Sequence, residues 1–204
     1  NKNSTLKIKN VGLNPTRIGF YQLVKKFGAK IIFKNLRKNN NEIYGDIFIR
    51  SSKIKPIKAT KEYYVKSTDE YPILFVIASL TKGISTFKGI EDLANKESNR
   101  ILEMQKILKQ VGIKSISSKN ELKIFGAGII DGSKRRITVP PLNDHRIAMA
   151  SFVLSILTGA DTYIKNFDTV NIDDIALKFS GFICEHLKVN DKQAISTSNT
   201  FLDQ

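Results

Sequence analysis

Ser4-Thr5-Leu6-Lys7, Ser85-Thr86-Phe87-Lys88 and Thr162-Tyr163-Ile164-Lys165 are three versions of one short strand, set about 80 residues apart in a chain of 204 residues. The second and third each follow an apolar run ending in a glycine, Gly83 or Gly159, a residue that suits a helix C-terminus. After the first two strands comes a polar loop, then an arginine, Arg17 or Arg100. Each arginine opens a helix containing Leu23 or Leu108 and closed by Gly28 or Gly112. Two further strands follow each time, the later one carrying Ile43 or Ile124. The unit reads strand, helix, strand, strand, then helix into the next unit, which predicts an α/β (α+β) fold built by repetition.

Two linking helices stand out. Pro72 suits the first turn of a helix from about Glu70 to Lys82, with Ile73, Leu74, Ile77, Ala78 and Leu80 on a broad apolar face. Its twin runs from about Asp144 to Thr158, where Ile147, Ala148, Ser151, Phe152 and Leu154 to Leu157 are apolar almost all round. Deep burial is expected there. Residues 1–188 read as one lobe and residues 189–204 as a polar, flexible tail.

Composition removes several classes. One cysteine, Cys184, provides no disulfide framework, and with two histidines it cannot assemble a zinc cage within the chain. Cys184 lies beside Ile183 in an apolar stretch and reads as a core residue, not a nucleophile. No apolar run approaches the roughly 18 residues of a membrane span, so a soluble, cytoplasmic chain is expected. The net charge of +14 is concentrated at one end: residues 1–60 carry 14 Lys and Arg against two acids, Glu42 and Asp46. Neither an aromatic-interleaved basic motif nor a helix-turn-helix spacing accompanies that excess. A basic surface is expected in preference to a nucleic-acid site.

Polar residues collect at four helix starts. Asn14 is placed to cap a helix with Pro15 in its first turn and Arg17 behind it, and Thr68 or Asp69 to cap the helix containing Pro72. Lys96-Glu97-Ser98-Asn99-Arg100 and Asn143-Asp144-His145-Arg146 form the other two starts. A cation matches the positive end of a helix poorly unless an anion lies between them, so the four starts together suggest an anion-binding face. Taken singly, Asp69 reads as a cap before a catalytic base, and Glu97 as a carboxylate complementing the helix dipole. His145, between an acid and an arginine at the head of an almost wholly apolar helix, admits a structural and a functional reading alike.

Four stretches in order, Asn10 to Gly19 (NVGLNPTRIG), Asp69 to Ile73 (DEYPI), Lys96 to Arg100 (KESNR) and Asp144 to Ala150 (DHRIAMA), give the chain its resemblance to a known family. It resembles the 5-enolpyruvylshikimate-3-phosphate synthases (3-phosphoshikimate 1-carboxyvinyltransferases), in the class II, glyphosate-insensitive form. The likeness covers about residues 4–188 and only the C-terminal half of the family enzyme. It implies a lobe of βαβαββ units around a pseudo-threefold axis, the third unit incomplete here. It also implies a second lobe, supplied either by a separate N-terminal-lobe chain or by an upstream part of a longer protein. The implied reaction transfers the enolpyruvyl group of phosphoenolpyruvate to the 5-hydroxyl of shikimate 3-phosphate and releases phosphate, without a metal or organic cofactor.

By the same resemblance, Arg100 and Arg146 would hold phosphoenolpyruvate, and Lys96 would reach toward the second substrate and the reacting centre. Asp69 would take the proton of the 5-hydroxyl, and Glu97 would exchange a proton with the methylene carbon. His145 would orient or polarise its neighbours, and Asp92, four residues before Lys96, would touch substrate. Asn99 departs from the family's KESDR by one negative charge, which bears on the placing of Arg100 and Lys96. The segment from Asp173 to Phe179 also departs from the family, so the phosphoenolpyruvate contact supplied there in some members is not assigned.

A half-enzyme is expected to be inactive alone. Two arginines and a lysine at roughly 1.5 to 3 kcal/mol each, set against an association cost of at least about 4 kcal/mol, leave affinity near millimolar. The rivals are a degenerate, non-catalytic fragment and a basic module that holds polyanions such as RNA.

Overall fold

The structure, a computed structural model, describes residues 3–141 and 143–164. Strand β1 (Thr5–Gly12), helix α1 (Gly19–Lys26) and strands β2 (Lys30–Asn39) and β3 (Glu42–Arg50) make the first unit, with β3 antiparallel between β1 and β2. The second unit runs through β4 (Lys58–Ala59), α2 (Lys61–Val65), α3 (Tyr71–Ser79), β5 (Gly83–Lys88), α4 (Arg100–Gln110), β6 (Lys114–Ser117) and β7 (Glu121–Gly126). Its sheet order is β4-β5-β7-β6, so the last strand again lies between the other two of the motif. Strand β8 (Arg136–Val139), α5 (His145–Thr158) and β9 (Asp161–Ile164) begin the third unit.

The repeat read from sequence is therefore present, and the structure adds the strands β4 and β8. These have two and four residues, too few to display a period, and each is recognisable only by its parallel partner, β5 or β9. Parallel neighbours need a crossover. Helices α2 and α3 provide the first and α5 the second, which completes the βαβαββ pattern.

Several boundaries differ from expectation. Pro15 and Arg17 lie in a turn closed by Arg17 N–H donating to the Asn14 carbonyl, and α1 starts two residues later at Gly19. The Asn14 carboxamide oxygen accepts from the Thr16 amide and hydroxyl at 3.1 and 2.9 Å, so it braces that turn in place of capping a helix. Neither Thr68 nor Asp69 caps α3: the Thr68 hydroxyl donates to the Tyr64 carbonyl, and Asp69 turns toward arginines. Helix α3 ends at Ser79, and Gly83, at φ 122°, opens strand β5 instead of closing the helix. Gly159, at φ 73°, does close α5.

Helices α3, α4 and α5 pack on one another, and α3 also lies against β7. Tyr71, Leu74, Phe75, Phe87, Met104, Leu108, Ile147 and Leu154 fill the space between helices and sheets with no exposed surface. Each contributes about 1.5 to 3 kcal/mol through burial. Strand β7 approaches α3 so closely that a Cβ on Gly126 would lie 2.2 Å from the Ala78 carbonyl oxygen. Burial of α5 is less complete than its composition suggested. Met149 and Leu157 are 48% and 47% exposed, because α3, α4, β8 and β9 cover only part of its circumference among the described residues.

No helix among the described residues is long and apolar enough to cross a membrane, and no group of three or more His, Cys, Asp or Glu there could hold a metal ion. The expectations for Lys165, Cys184, the Asp173 to Phe179 segment, the 1–188 boundary and the 189–204 tail lie outside the described residues.

Candidate active site

Two helix N-termini form the rigid part of the site. Asn99 caps α4, its side-chain oxygen accepting from Leu102 N–H at 3.1 Å, and Asp144 caps α5, Oδ1 accepting from Arg146 N–H at 3.1 Å and Ile147 N–H at 3.4 Å. The other Asp144 oxygen, Oδ2, accepts from Arg100 Nε at 2.9 Å and from Ser98 Oγ at 2.8 Å. Burial opposes ionisation of this carboxyl, but Arg100, Ser98 and the Ile147 amide together hold it below the usual aspartate range. Position 99 thus serves α4 and not Arg100. Asparagine caps as well as aspartate does, so the exchange at this position leaves Arg100 with three carboxylates around it.

Arg100, the first residue of α4, is fully buried. Its Nε meets Asp144 and its Nη2 donates to Glu97, whose side chain is half exposed. Its Nη1 has no hydrogen-bond partner among the described residues, the Asp69 Oδ1 atom lying 3.7 Å away.

Asp69, in a 3-10 turn ahead of α3, is where the arginines meet. Arg146 Nη2 approaches Asp69 Oδ2 at 3.0 Å, and Arg17 Nη2 stands 3.7 Å from the same oxygen. Arg146 Nη1 also donates, at 3.5 Å, to the Asp69 backbone carbonyl. Beside them, burial pushes the Glu70 carboxyl up and the Asp69 charge adds to the rise, while Arg17 and Arg146 pull the other way.

Lys96 takes a separate partner. Its Nζ lies 2.8 Å from Asp92 Oδ2, and the Tyr64 hydroxyl donates to that same oxygen at 2.8 Å. Lys96 first and Tyr64 second hold the Asp92 carboxyl below its usual value. His145, the first residue of α5, is half-buried and forms no hydrogen bond or ion pair among the described residues. An open cavity of about 550 Å³ is lined by Asp92, Asn95, Asn99, Leu102 and Lys119; of the residues singled out from sequence it contains only Asp92 among the ionisable ones.

These pairings describe the expected substrate-binding cations without a ligand present. Arg100 and Arg146 do converge, but each is met by an internal carboxylate, and Lys96 is held by Asp92. The physical reason is the one that made the cations conspicuous. An arginine at a helix N-terminus opposes the dipole, and burying it without a carboxylate would be prohibitive. What remains open to an incoming anion is graded: Arg17 is 70% exposed, Arg146 34%, Lys96 30% and Arg100 1%. Sequence reading put Arg17, Ser98 and Asp144 at helix starts of the expected anion-binding face without naming their partners, and it passed over Tyr64. Arg17 was visible as the counterpart of Arg100 in the first unit, whereas Tyr64 carried no signal.

Residues 2–173 match the model of the family described as EPSP synthase (3-phosphoshikimate 1-carboxyvinyltransferase). The 3-phosphoshikimate 1-carboxyvinyltransferase of Petrotoga mobilis is 39% identical over 171 residues, which are 84% of this chain and 39% of that protein. That of Thermoanaerobacter sp. (strain X514) is 38% identical over 170 residues, 83% of this chain and 39% of the other. The EPSP synthase structure from Acinetobacter baumannii superposes with a TM-score of 0.76 at 27% identity, over 91% of this chain and 42% of that one. The chain therefore spans about two fifths of the length of the curated relatives it matches.

Proposed function

The chain belongs to the EPSP synthase family, and from that premise we propose that it is the C-terminal lobe of a 3-phosphoshikimate 1-carboxyvinyltransferase, competent only when an N-terminal lobe faces it. One observation carries the reading. Three arginines from separated stretches, Arg17, Arg100 and Arg146, meet at a single carboxylate, Asp69. A merely structural cluster would not need an exposed arginine at its rim.

In the proposed reaction the 5-hydroxyl of shikimate 3-phosphate adds to C2 of phosphoenolpyruvate as a proton adds to C3. Loss of that methyl proton and of phosphate then restores the enol ether. Asp69 accepts the hydroxyl proton, and Glu97, half exposed beside Arg100, delivers and recovers the proton at C3. Arg146 supplies a fork matched to phosphate or carboxylate. Lys96, released from Asp92, reaches the departing phosphate or the second substrate. Arg100 has a different part from the one expected. Buried against Asp144, it fixes the heads of α4 and α5 relative to each other and offers only Nη1 to a ligand. His145 remains a candidate for orienting neighbouring groups. Asp92 acts through Lys96 rather than on substrate, no cofactor takes part, and the setting is cytoplasmic.

With three arginines set against Asp69, Glu97 and Asp144, the lobe alone has little net field for an anion. Cations from the other lobe are needed, and closure must exclude water before these interactions reach catalytic strength. Mixing this chain with the N-terminal lobe of a family relative should produce phosphate release that requires both substrates. Absence of release at every ratio would leave the degenerate-fragment reading in its place.

The polyanion-binding reading has its own observation. Lys7 and Lys34 lie over the Phe48 ring on the first sheet, at 5.0 and 5.3 Å. It requires RNA binding that falls steeply with salt and ignores phosphoenolpyruvate.

A further inference from the structure

We propose that Arg17 is a third guanidinium of the anion site formed with Arg100 and Arg146, and that Asp69 is an internal carboxylate which an incoming phosphate or carboxylate group displaces from all three. The inference rests on the enolpyruvyl-transfer reading above and adds to it a ligand and an exchange.

Three observations support it. First, Asp69 is held loosely. Only Arg146 is within hydrogen-bond range, at 3.0 Å, while Arg17 and Arg100 both stand at 3.7 Å. Second, Arg100 Nη1 is a buried donor without a hydrogen-bond partner among the described residues, on a side chain 1% exposed and 3.7 Å from the Asp69 carboxylate. A buried guanidinium N–H left unpaired is unfavourable, and a ligand oxygen larger in reach than the short Asp69 side chain would satisfy it. Third, Arg17 stands just ahead of the helix of the first unit, two residues before Gly19, as Arg100 stands at the head of the helix of the second. Its turn is braced by the Asn14 and Thr16 contacts, so the guanidinium is carried on a fixed base although it is exposed.

The exchange keeps an anion at the three guanidinium groups throughout, the ligand's charge being added to the site. An arriving oxyanion replaces the Asp69 carboxylate among the three forks, and Asp69 is released as an anion, the state in which it can accept a proton. Arg17, the most exposed of the three, meets the anion first, and Arg100 Nη1 completes its coordination last.

The test uses the 204-residue chain, titrated with inorganic phosphate and, separately, with phosphoenolpyruvate, and followed through its arginine side-chain N–H resonances. Arg17→Gln should weaken phosphate binding about fivefold, and Arg17→Lys should recover part of the loss because charge is kept without the fork. Asp69→Asn should strengthen phosphate binding by a similar factor. Unchanged backbone amide spectra would show that the fold is retained. Unaltered affinity in Arg17→Gln alongside weakened binding in Arg146→Gln would overturn the role of Arg17 and leave the anion site standing. Weaker binding in Asp69→Asn, or no saturable binding in any variant, would overturn the exchange. An Arg17 effect on phosphate, with no phosphate release once the N-terminal lobe of a family relative is added, would support the inference while removing the enolpyruvyl reading.

Discussion

The Arg100 Nε donates at 2.9 Å to Oδ2 of Asp144, and both side chains are buried. This pair joins the first residue of α4 to the cap of α5, across 44 positions of sequence. It fixes where Glu97 and Arg146 stand, since each is a near neighbour in sequence of one member of the pair.

Removing Asp144 takes from the buried Arg100 the one carboxylate that is itself buried, leaving the part-exposed Glu97 and Asp69. Asp144→Ala should cost about 3 to 5 kcal/mol, a value that includes the uncapped N-terminus of α5. Urea unfolding would read it, with the slope unchanged if the folded state is otherwise intact. Asn99→Asp, by contrast, should change stability little, because both residues cap and neither is needed by Arg100.

Asp46 gives the first sheet an acid-sensitive point. Its carboxylate accepts from Asn35 Nδ2 at 2.9 Å and the Asn10 amide at 3.1 Å, where β1 and β2 both bulge, and Lys7 lies 3.1 Å away. Those contacts, led by Asn35, lower its pKa to about 2. A carboxyl whose pKa is lower folded than unfolded contributes stability that is complete above the unfolded value, near 4, and lost as pH falls toward the folded one. The Asn10 amide should therefore lose hydrogen-exchange protection between about pH 4 and about pH 2. Asp46→Asn should remove that pH dependence.

The repeat was legible because helices closed by Gly28 and Gly112, and strands of similar composition starting at Ser4, Ser85 and Thr162, recur at about 80-residue spacing. Both crossover strands escaped notice, since β4 and β8 have no length over which a pattern could show. In the site, residue types and helix starts were readable, but their pairing was not. Asp69 and Arg146 are 77 residues apart, and nothing local marks one as the other's partner. Which acid meets which cation, Asp92 with Lys96, Glu97 and Asp144 with Arg100, and Asp69 with Arg146, shows only once the stretches are brought together.

Tyr64 anchors Asp92, and through it Lys96, to the aromatic cluster, its ring packing edge-on against Tyr71 at 5.2 Å. Tyr64→Phe keeps the packing and removes the hydroxyl, so stability should fall by about 1 kcal/mol. The Asp92 carboxyl should titrate at higher pH than before, as followed by carboxyl-carbon NMR. An Asp92 titration unaffected by the change would remove Tyr64 from the support of Lys96.

Gly126 sets the distance between β7 and α3. An alanine there would press on the Ala78 and Thr81 carbonyls, which are backbone and cannot rotate aside. Gly126→Ala should destabilise the lobe by about 1 to 3 kcal/mol through the strain of overpacking, and thermal unfolding would record it as a lowered midpoint.

The proton-accepting role of Asp69 at the meeting point of the arginines is tested most directly by turnover in the assembly of this chain with a family N-terminal lobe, comparing Asp69→Asn with the unsubstituted chain. We expect kcat for substrate-dependent phosphate release to fall by about 100-fold or more, with phosphoenolpyruvate held at least as tightly. Turnover by Asp69→Asn at the unsubstituted rate would contradict the assignment.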